Sequence, residues 1–341
     1  MSELPSELAA DIDLDLLTTF YEAGGQAVGV SDLKQTFGLT LEEIAARVEG
    51  LRAAGYVIGK SHPYGSTAFQ MLEIPDRFYV HEIRRRLATE WLGREIRTYD
   101  TLASTNEAAR TLASAGAVHG TVVVAEEQTE GRGRNGRTWF SAPGRGIYLS
   151  LILKPGEAGI GAAPVQIATA VAVAHTAMKL TGKPARLRWP NDVLMSRGKV
   201  AGILTEATDV GGAGATWVVG IGFNVSHGPE DFPPEIAEEA TSLSIETGHP
   251  LSRLPVLPTL LGTLEEWYDR VFAGDTERIA EAWRPLSLLL GRDVVVHRGE
   301  RKTEGTVRDL SPVEGILVES AGEKEWIPAE HVTFIRAVDD D

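Results

Sequence analysis

A chain of 341 residues is long enough for two to three domains, each able to bury a sizeable core. With 43% apolar and 24% charged residues it has the composition of a soluble globular protein, which excludes disordered and fibrous classes. A formal net charge of −15 excludes a polybasic membrane binder and leaves nucleic acid only a local basic patch, while zero cysteines exclude disulfides, thiolate metal sites and cysteine nucleophiles. The acidic start MSELPSELAADIDLD lacks the basic-then-apolar order of a secretory signal. The most apolar stretch, 164–178, is broken by Gln166, Thr169 and His175 and reads as a buried helix rather than a membrane span. The expectation is a soluble, cytoplasmic, multidomain protein without membrane association.

Residues 1–80 form the first expected domain. Leu14, Leu17 and Tyr21 recur at helical spacing before Gly24-Gly25. A short helix follows over 31–37, with Ser31 as N-cap and Gly38 as terminator. Thr40-Leu41-Glu42-Glu43 has capping-box form, and Leu41, Ile44, Ala45, Val48 and Leu51 make one apolar face before Gly55. Two strand-like runs, 56–58 and 68–72, flank a turn-rich segment. This order is that of a winged helix-turn-helix, or of a small helical interaction domain with the same layout. Its DNA contacts would be Lys34, Arg47, Arg52 and Lys60, with His62 in the wing. Five Lys and Arg stand against twelve Asp and Glu in residues 1–80, a net charge of −7 that opposes phosphate binding.

A charged linker helix is expected over 81–94, overlapping a helical stretch that reads from 75 to 91 and carries Arg84-Arg85-Arg86 on a solvated face. From 95 to 290 strands and helices alternate: strands at 121–126 and 147–153, a helix at 164–179, and strands at 199–208 and 215–224 around Gly211-Gly212-Ala213-Gly214. That last pair reads as a hairpin, so the sheet is at least partly antiparallel. Helices at 251–272 and 275–289 close the domain. The last segment, 291–338, holds only short strands, at 293–297, 301–309, 315–320 and 325–328, and suggests a small SH3-like barrel.

The densest chemical signal is the run Gln128-Thr-Glu-Gly-Arg-Gly-Arg-Asn-Gly-Arg-Thr-Trp139. Gly131, Gly133 and Gly136 let backbone approach a ligand, and Arg132, Arg134 and Arg137 supply planar forks for phosphate or carboxylate oxygens. Three guanidinium groups in one loop call for an anion, although a solvated basic turn has the same composition. The spacing Gly131-x-Gly133-x-x-Gly136 also matches a dinucleotide fingerprint, but Thr138-Trp139-Phe140-Ser141-Ala142-Pro143 cannot open the helix that would receive a pyrophosphate. Neither kinase motifs nor a Gly-x-Ser-x-Gly elbow follow. A second group is Arg188-Trp-Pro-Asn-Asp192 followed by Lys199-Val-Ala-Gly-Ile-Leu204. Asn191-Asp192 makes a turn, and Lys199 opens an apolar strand on the side of Ala201 and Ile203, at the interior layer or the lip of a cleft, as a catalytic group or a snorkelling edge residue. Ser104-Thr105-Asn106-Glu107 is a helix start that suits a polar head group, and also a capping box complete in itself. The eight histidines lack ligand spacing, so no metal held by the protein alone is expected.

Taken together these pieces resemble the biotin protein ligases. Gly131-Arg-Gly-Arg-x-Gly-Arg137 with Trp139, Arg188-Trp-Pro-Asn-Asp192 with Lys199-x-Ala-Gly-Ile-Leu204, and Gly220-Ile-Gly-Phe-Asn224 stand in the family's order, with Ser104-Thr-Asn106 upstream. The resemblance runs from about residue 97 to 335, and the N-terminal domain is similar to that of the bifunctional ligase and biotin-operon repressor type. It implies an α+β protein with a central mixed-sheet α/β catalytic domain of the biotin/lipoate ligase type. The implied activity is attack of biotin on ATP, with Mg²⁺, to give biotinyl-5′-AMP and pyrophosphate, then transfer of biotin to a lysine of a biotin carboxyl carrier protein. Further implied are biotin operator DNA as a partner and a ligand-promoted homodimer. By resemblance Ser104, Thr105, Asn106 and Gln128 hold the biotin head group, with Gly133 and Gly202 at the same pocket. Arg132 and Arg134 close over the adenylate phosphate with Arg137 nearby, and Lys199 contacts both the biotin carboxyl and the α-phosphate. Trp139, Asn191 and Asn224 lie near the nucleotide, and Asp192 is the carboxylate for Mg²⁺ or for the incoming lysine. Arg188 stands where the family often has Lys, and Asn135 where it often has Arg. The competing expectations are a biotin-sensing regulator without turnover and a lipoate-type acyl ligase.

Overall fold

The computed structural model describes residues 4–7, 12–155, 160–208 and 216–338. The chain divides into two compact units, Leu8–Arg77 and a larger one that joins Met1–Glu7 with Phe78–Asp341.

In the smaller unit, α1 (Leu14–Glu22) starts at Asp13, whose carboxylate accepts from Leu16 N at 3.0 Å. It buries Leu16, Leu17 and Phe20, so the apolar stripe is turned from the expected Leu14 and Tyr21, and Leu14 is exposed. β1 (Val28–Gly29) leads into α2 (Val30–Phe37), which begins one residue before the expected Ser31 cap and ends at left-handed Gly38. α3 (Leu41–Ala53) carries the complete Thr40–Glu43 capping box and buries Ile44, Val48 and Leu51. The backbone N–H and hydroxyl of Thr40 hold the Glu43 carboxyl below its usual range. β2 (Val57–Ser61) and β3 (Ala68–Glu73) pair antiparallel, and β1 adds to the far edge of β3. Two of the expected DNA contacts have acidic partners within the unit: Arg47 lies 3.1 Å from Asp13, and Arg52 lies 2.6 Å from Glu49 while also donating to Ile58 O. Lys34 and Lys60 are exposed.

The larger unit opens with α4 (Val80–Arg86), far shorter than the linker helix expected over 81–94. Glu265 explains the stop. Its buried carboxylate accepts from the backbone N–H groups of Glu90, Trp91 and Leu92, which fixes a turn that Gly93 completes at φ +81°. Arg84 and Arg85 are exposed, while Arg86 pairs with buried Glu82.

A seven-stranded mixed sheet follows. Its strands are β4 (Ile96–Leu102), β5 (Thr121–Gln128), β6 (Gly146–Leu153), β7 (Arg186–Arg188), β8 (Asp192–Met195), β9 (Gly198–Thr208) and β10 (Thr216–Asn224), in the order β4-β5-β6-β10-β9-β8-β7. Only β4 and β5 run parallel, as the crossover through α5 (Thr105–Ser114) requires. The β9–β10 pair is antiparallel as expected, and the glycine-rich segment 211–214 lies outside the described residues. α5 covers one face with Ala108, Ala109 and Ala113 against Val123, Ala125, Ile152 and Val218. The other face packs on α6 (Ala162–Thr181), whose small apolar residues let it sit close to both the sheet and α8 (Arg253–Phe272). The short α7 (Leu243–Thr247) and α9 (Thr276–Trp283) complete that layer.

β11 (Asp293–Arg298), β12 (Arg301–Ser311), β13 (Gly315–Ser320), β14 (Glu323–Ile327) and β15 (Phe334–Ala337) make a five-stranded antiparallel sheet in the order β14-β13-β12-β11-β15. β15 was not expected from the sequence. Val294, Val296, Val307 and Ile316 of this sheet join the same buried cluster as α6 and α8, so 291–338 shares the larger unit's core rather than forming a third compact unit. Among the described residues no helix is long and apolar enough to cross a membrane.

His227, after β10, is fully buried, stacked on Phe232 with ring centroids 4.8 Å apart, and its Nδ1 has no hydrogen-bond partner. Burial pushes its pKa from 6.5 down to about 4, with Asp231 opposing. As pH falls below 6.5 the unfolded imidazole takes its proton first, so stability is full above that pH and is lost as pH drops toward 4, by about 3 kcal/mol. Urea unfolding of the parent and of His227→Gln between pH 7 and 4 should give a steeper decline for the parent. Parallel declines would show that His227 does not contribute.

Candidate active site

The floor of the site is a strip of sheet without side chains. Gly220 and Gly222 on β10 and Gly202 on β9 share one face, Gly202 being paired with Gly222 and Ser150 of β6 with Gly220. Ile221, Phe223, Ala201 and Ile203 point to the opposite face and into the core. The bare strip is filled by close neighbours: a Cβ at Gly220 would stand 2.2 Å from Asn106 Oδ1, and one at Gly222 2.2 Å from the Trp139 indole. The same ring lies 2.9 Å from the Cβ position of Gly202.

The start of α5 lies on this floor. Ser104 is the N-cap by position, yet its side chain makes no capping hydrogen bond, and the capping box expected with Glu107 does not form. Instead Gln128 caps from the end of β5: its Oε1 accepts from Thr105 N at 2.9 Å and Thr105 Oγ1 at 3.0 Å, and its Nε2 donates to Ser141 at 3.0 Å. Asn106 is buried, with Oδ1 2.6 Å from Ser150 Oγ and Nδ2 donating to Glu206 at 2.7 Å. Ser150 and Glu206 escaped the sequence reading, because strand pairing alone brings them to Asn106.

The Arg–Gly loop is a small hairpin. Trp139 N donates to Gly131 O at 2.8 Å, Gly133 N to Arg137 O at 2.7 Å, and Arg137 N to Arg134 O at 3.2 Å. Asn135 (φ 55°) and Gly136 (φ 72°) are both left-handed, the combination that Asn-Gly adopts most readily in a two-residue hairpin turn. Asn in place of Arg at this position thus suits the backbone. Arg132 pairs with Glu107 at 2.6 Å. Arg134 is partly buried, and desolvation holds its guanidinium below its usual pKa while Asp192 opposes. The hairpin tip reaches the five-stranded sheet, with Arg134 Nη2 3.5 Å from Ala329 O and Asn135 Nδ2 3.4 Å from Thr333 O.

On the other side, Gln166 of α6 donates to Pro190 O at 2.8 Å and steadies the turn that carries Asn191 and Asp192. Lys199 does not point to the core side of Ala201 and Ile203. Its ammonium lies 2.6 Å from Asp192 Oδ1, 5.2 Å from the Trp139 ring centroid and 3.2 Å from the Cβ position of Gly202, which places it on the glycine face. Asp192 Oδ2 also accepts from Arg188 at 2.9 Å, so this carboxylate balances two cations.

One cavity is lined by Ser104, Thr105, Gln128, Arg132, Gly133, Trp139, Asn191, Lys199 and Gly202 together with Gly220 and Gly222. An adjoining cleft is lined by Arg134, Arg137, Trp139, Arg188, Asn191, Asp192 and Lys199, and its far wall is the Val332–Arg336 stretch. Lys199 stands where the two meet, a cation between a small polar pocket and an arginine-rich cleft. The Trp139 indole N–H is buried there without a hydrogen-bond partner. Asn224, expected near a nucleotide, lines neither space: it is buried, and its amide donates to Thr241 O at 3.0 Å and Lys199 O at 3.4 Å. Among the described residues no group of three or more His, Asp or Glu could hold a metal ion.

Residues 99–224 match the Biotin/lipoate A/B protein ligase family. The chain is 32% identical over 280 residues to the Bifunctional ligase/repressor BirA of Bacillus subtilis, covering 82% of this chain and 85% of that protein. It is 31% identical over 215 residues to the Biotin–[acetyl-CoA-carboxylase] ligase of Paracoccus denitrificans, covering 62% and 89% of the two chains. The solved biotin protein ligase from Aquifex aeolicus in complex with biotin and ATP superposes with a TM-score of 0.62 at 29% identity, over 72% of this chain and 99% of that one. The chain belongs to the biotin protein ligase family.

The floor gives a direct test of the geometry. Gly220→Ala should destabilise the fold by about 1–3 kcal/mol in urea, because the new methyl meets buried Asn106. Gly262→Ala, on α8 with open space around it, should stabilise by about 0.4–1 kcal/mol. Equal effects at the two positions would refute the close approach.

Proposed function

We infer that this enzyme is an ATP-dependent ligase that activates biotin to biotinyl-5′-AMP and transfers it to a lysine of a biotin carboxyl carrier protein. The observation that carries this reading is the meeting of a polar pocket and an arginine-rich cleft at Lys199. In the first step a biotin carboxylate oxygen attacks the α-phosphorus of ATP, the bond to the β-phosphate oxygen breaks, and pyrophosphate leaves. In the second, the acceptor amine attacks the acyl carbon, AMP leaves, and the amine loses a proton.

Two anions must meet in the first step, so fixed positive charge is placed where their oxygens converge. Ser104, Thr105 and Gln128 are assigned to the biotin head group, with Asn106 holding the pocket from behind and Gly133 and Gly202 allowing close approach. Lys199 is assigned to the carboxylate and the α-phosphate, Arg132, Arg134 and Arg137 to the phosphates, and Trp139 and Asn191 to the nucleotide. Asn224 supports the Lys199 backbone rather than the ligand. Mg²⁺ arrives with ATP, and Asp192, which lines the arginine-rich cleft while balancing Lys199 and Arg188, is the carboxylate assigned to it or to the incoming lysine.

Well-folded protein should catalyse biotin-dependent exchange of pyrophosphate into ATP and then label a carrier-domain lysine. Exchange driven by lipoate or octanoate instead would assign a lipoate-type ligase, and biotin binding without exchange would assign a sensor. Lys199→Ala should slow adenylate formation roughly 10²-fold or more, the scale of one lost charge-stabilising donor. A near-normal rate would reduce Lys199 to a strand-edge residue.

The finer reading of the N-terminal unit is a winged helix-turn-helix, α2 and α3 with the β2–β3 wing, and that of the C-terminal sheet is an SH3-like barrel. With Arg47 and Arg52 engaged by Asp13 and Glu49, phosphate contacts fall mainly to Lys34 and Lys60. Repressor activity therefore needs a ligand-promoted dimer that sets two heads on a palindromic site. Fluorescence anisotropy on DNA upstream of the organism's biotin genes should show weak binding that strengthens with biotin plus ATP and falls steeply with salt. No preference over random DNA at low salt would assign this unit another role and leave the ligase unchanged.

A further inference from the structure

Glu107 occupies the third residue of α5, where a carboxylate following a Ser N-cap would ordinarily turn back to the cap backbone. It does not. Its Oε1 reaches across to Arg132 Nη2 at 2.6 Å, while Arg110, one turn further on, lies 4.0 Å from Glu206. Arg132 is where the Arg–Gly hairpin begins, bridged to Thr138 across its base. The small cavity has one wall from α5, at Ser104 and Thr105, and another from the hairpin, at Arg132 and Gly133. The Glu107–Arg132 pair therefore spans two walls of the same cavity, and Glu107 itself does not line it.

We propose that Glu107 is a positioning residue that holds Arg132, and with it the base of the hairpin, across the mouth of the biotin pocket, and so slows the escape of bound biotin. The proposal rests on the reading of this cavity as the biotin pocket. A guanidinium has five donors in a planar fork, and this pair uses Nη2, so Arg132 can keep Glu107 on one edge while another edge meets a phosphate oxygen. Both side chains are about half exposed, so the pair is a modest, salt-sensitive tie and not a structural element of the fold.

The test compares the full-length parent with Glu107→Gln, which keeps the shape and removes the charge. Biotin dissociation is followed by chase with excess unlabelled biotin at low and high salt, alongside steady-state KM for biotin and kcat for pyrophosphate exchange. At low salt biotin should leave the variant about two- to fivefold faster, the range expected for losing one exposed ion pair, and KM for biotin should rise with it. The kcat at saturating biotin should stay within about twofold. Added salt should speed dissociation from the parent more than from the variant, so that the two rates converge at high salt, a response that a purely structural residue would not give. Equal dissociation rates at low salt, equal salt sensitivity, or a loss confined to kcat would each overturn the role of Glu107. A parent that does not bind biotin would overturn the function itself, and this inference with it.

Discussion

The absence of side chains on one face of β9 and β10 is the constraint on which the site depends. Gly202, Gly220 and Gly222 allow Asn106 and Trp139 to lie directly against the backbone, at distances a single methyl group would forbid. That contact brings the start of α5 and the end of the Arg–Gly hairpin onto the same floor. It also leaves Lys199 free to extend over Gly202 beside the indole. The opposite face of the same strands sends Ala201, Ile203, Ile221 and Phe223 into the buried cluster that includes α6 and α8, so the floor is backed by packed core where it is bare.

Charge around this floor is balanced locally. Lys199 and Arg188 share Asp192, and Arg132 has Glu107, so each of these cations is paired with a carboxylate. In a chain of net charge −15 this matters, since unpaired basic groups near so many carboxylates would find other partners and other positions. Arg47 and Arg52 of the smaller unit show that outcome: each is taken up by a nearby acid.

Local patterns were read correctly where the backbone alone decides them. The Thr40–Glu43 box forms as written, and Gly38 ends its helix in the left-handed conformation its lack of a Cβ permits. The same capping pattern at Ser104–Glu107 does not form: Arg132, distant in sequence, takes the Glu107 carboxylate, and Gln128 caps the helix start through Thr105 instead. The linker helix failed for a similar reason: Glu265, far along the chain, offers its carboxylate to three backbone N–H groups and makes a turn more favourable than further helix.

The sequence by itself determined which residue types gather at the site, since glycines, arginines and the Trp-Pro-Asn-Asp turn are written in order along β5, the loop, β8, β9 and β10. It also determined the mixed sheet's main strands and the buried character of α6, because apolar periodicity and uninterrupted small residues act locally. Tertiary structure alone decided which of those residues face the cavity. Asn224 and Gly222 belong to one strand face, yet Asn224 is drawn into backbone hydrogen bonds with Thr241 and Lys199 while Gly222 stays beneath Trp139. It likewise decided that Lys199 lies on the glycine face, that Ser150 and Glu206 meet Asn106, and that Glu107 meets Arg132. Side-chain direction at a strand end and pairing across strands depend on neighbours far apart in the chain, and no local pattern encodes them.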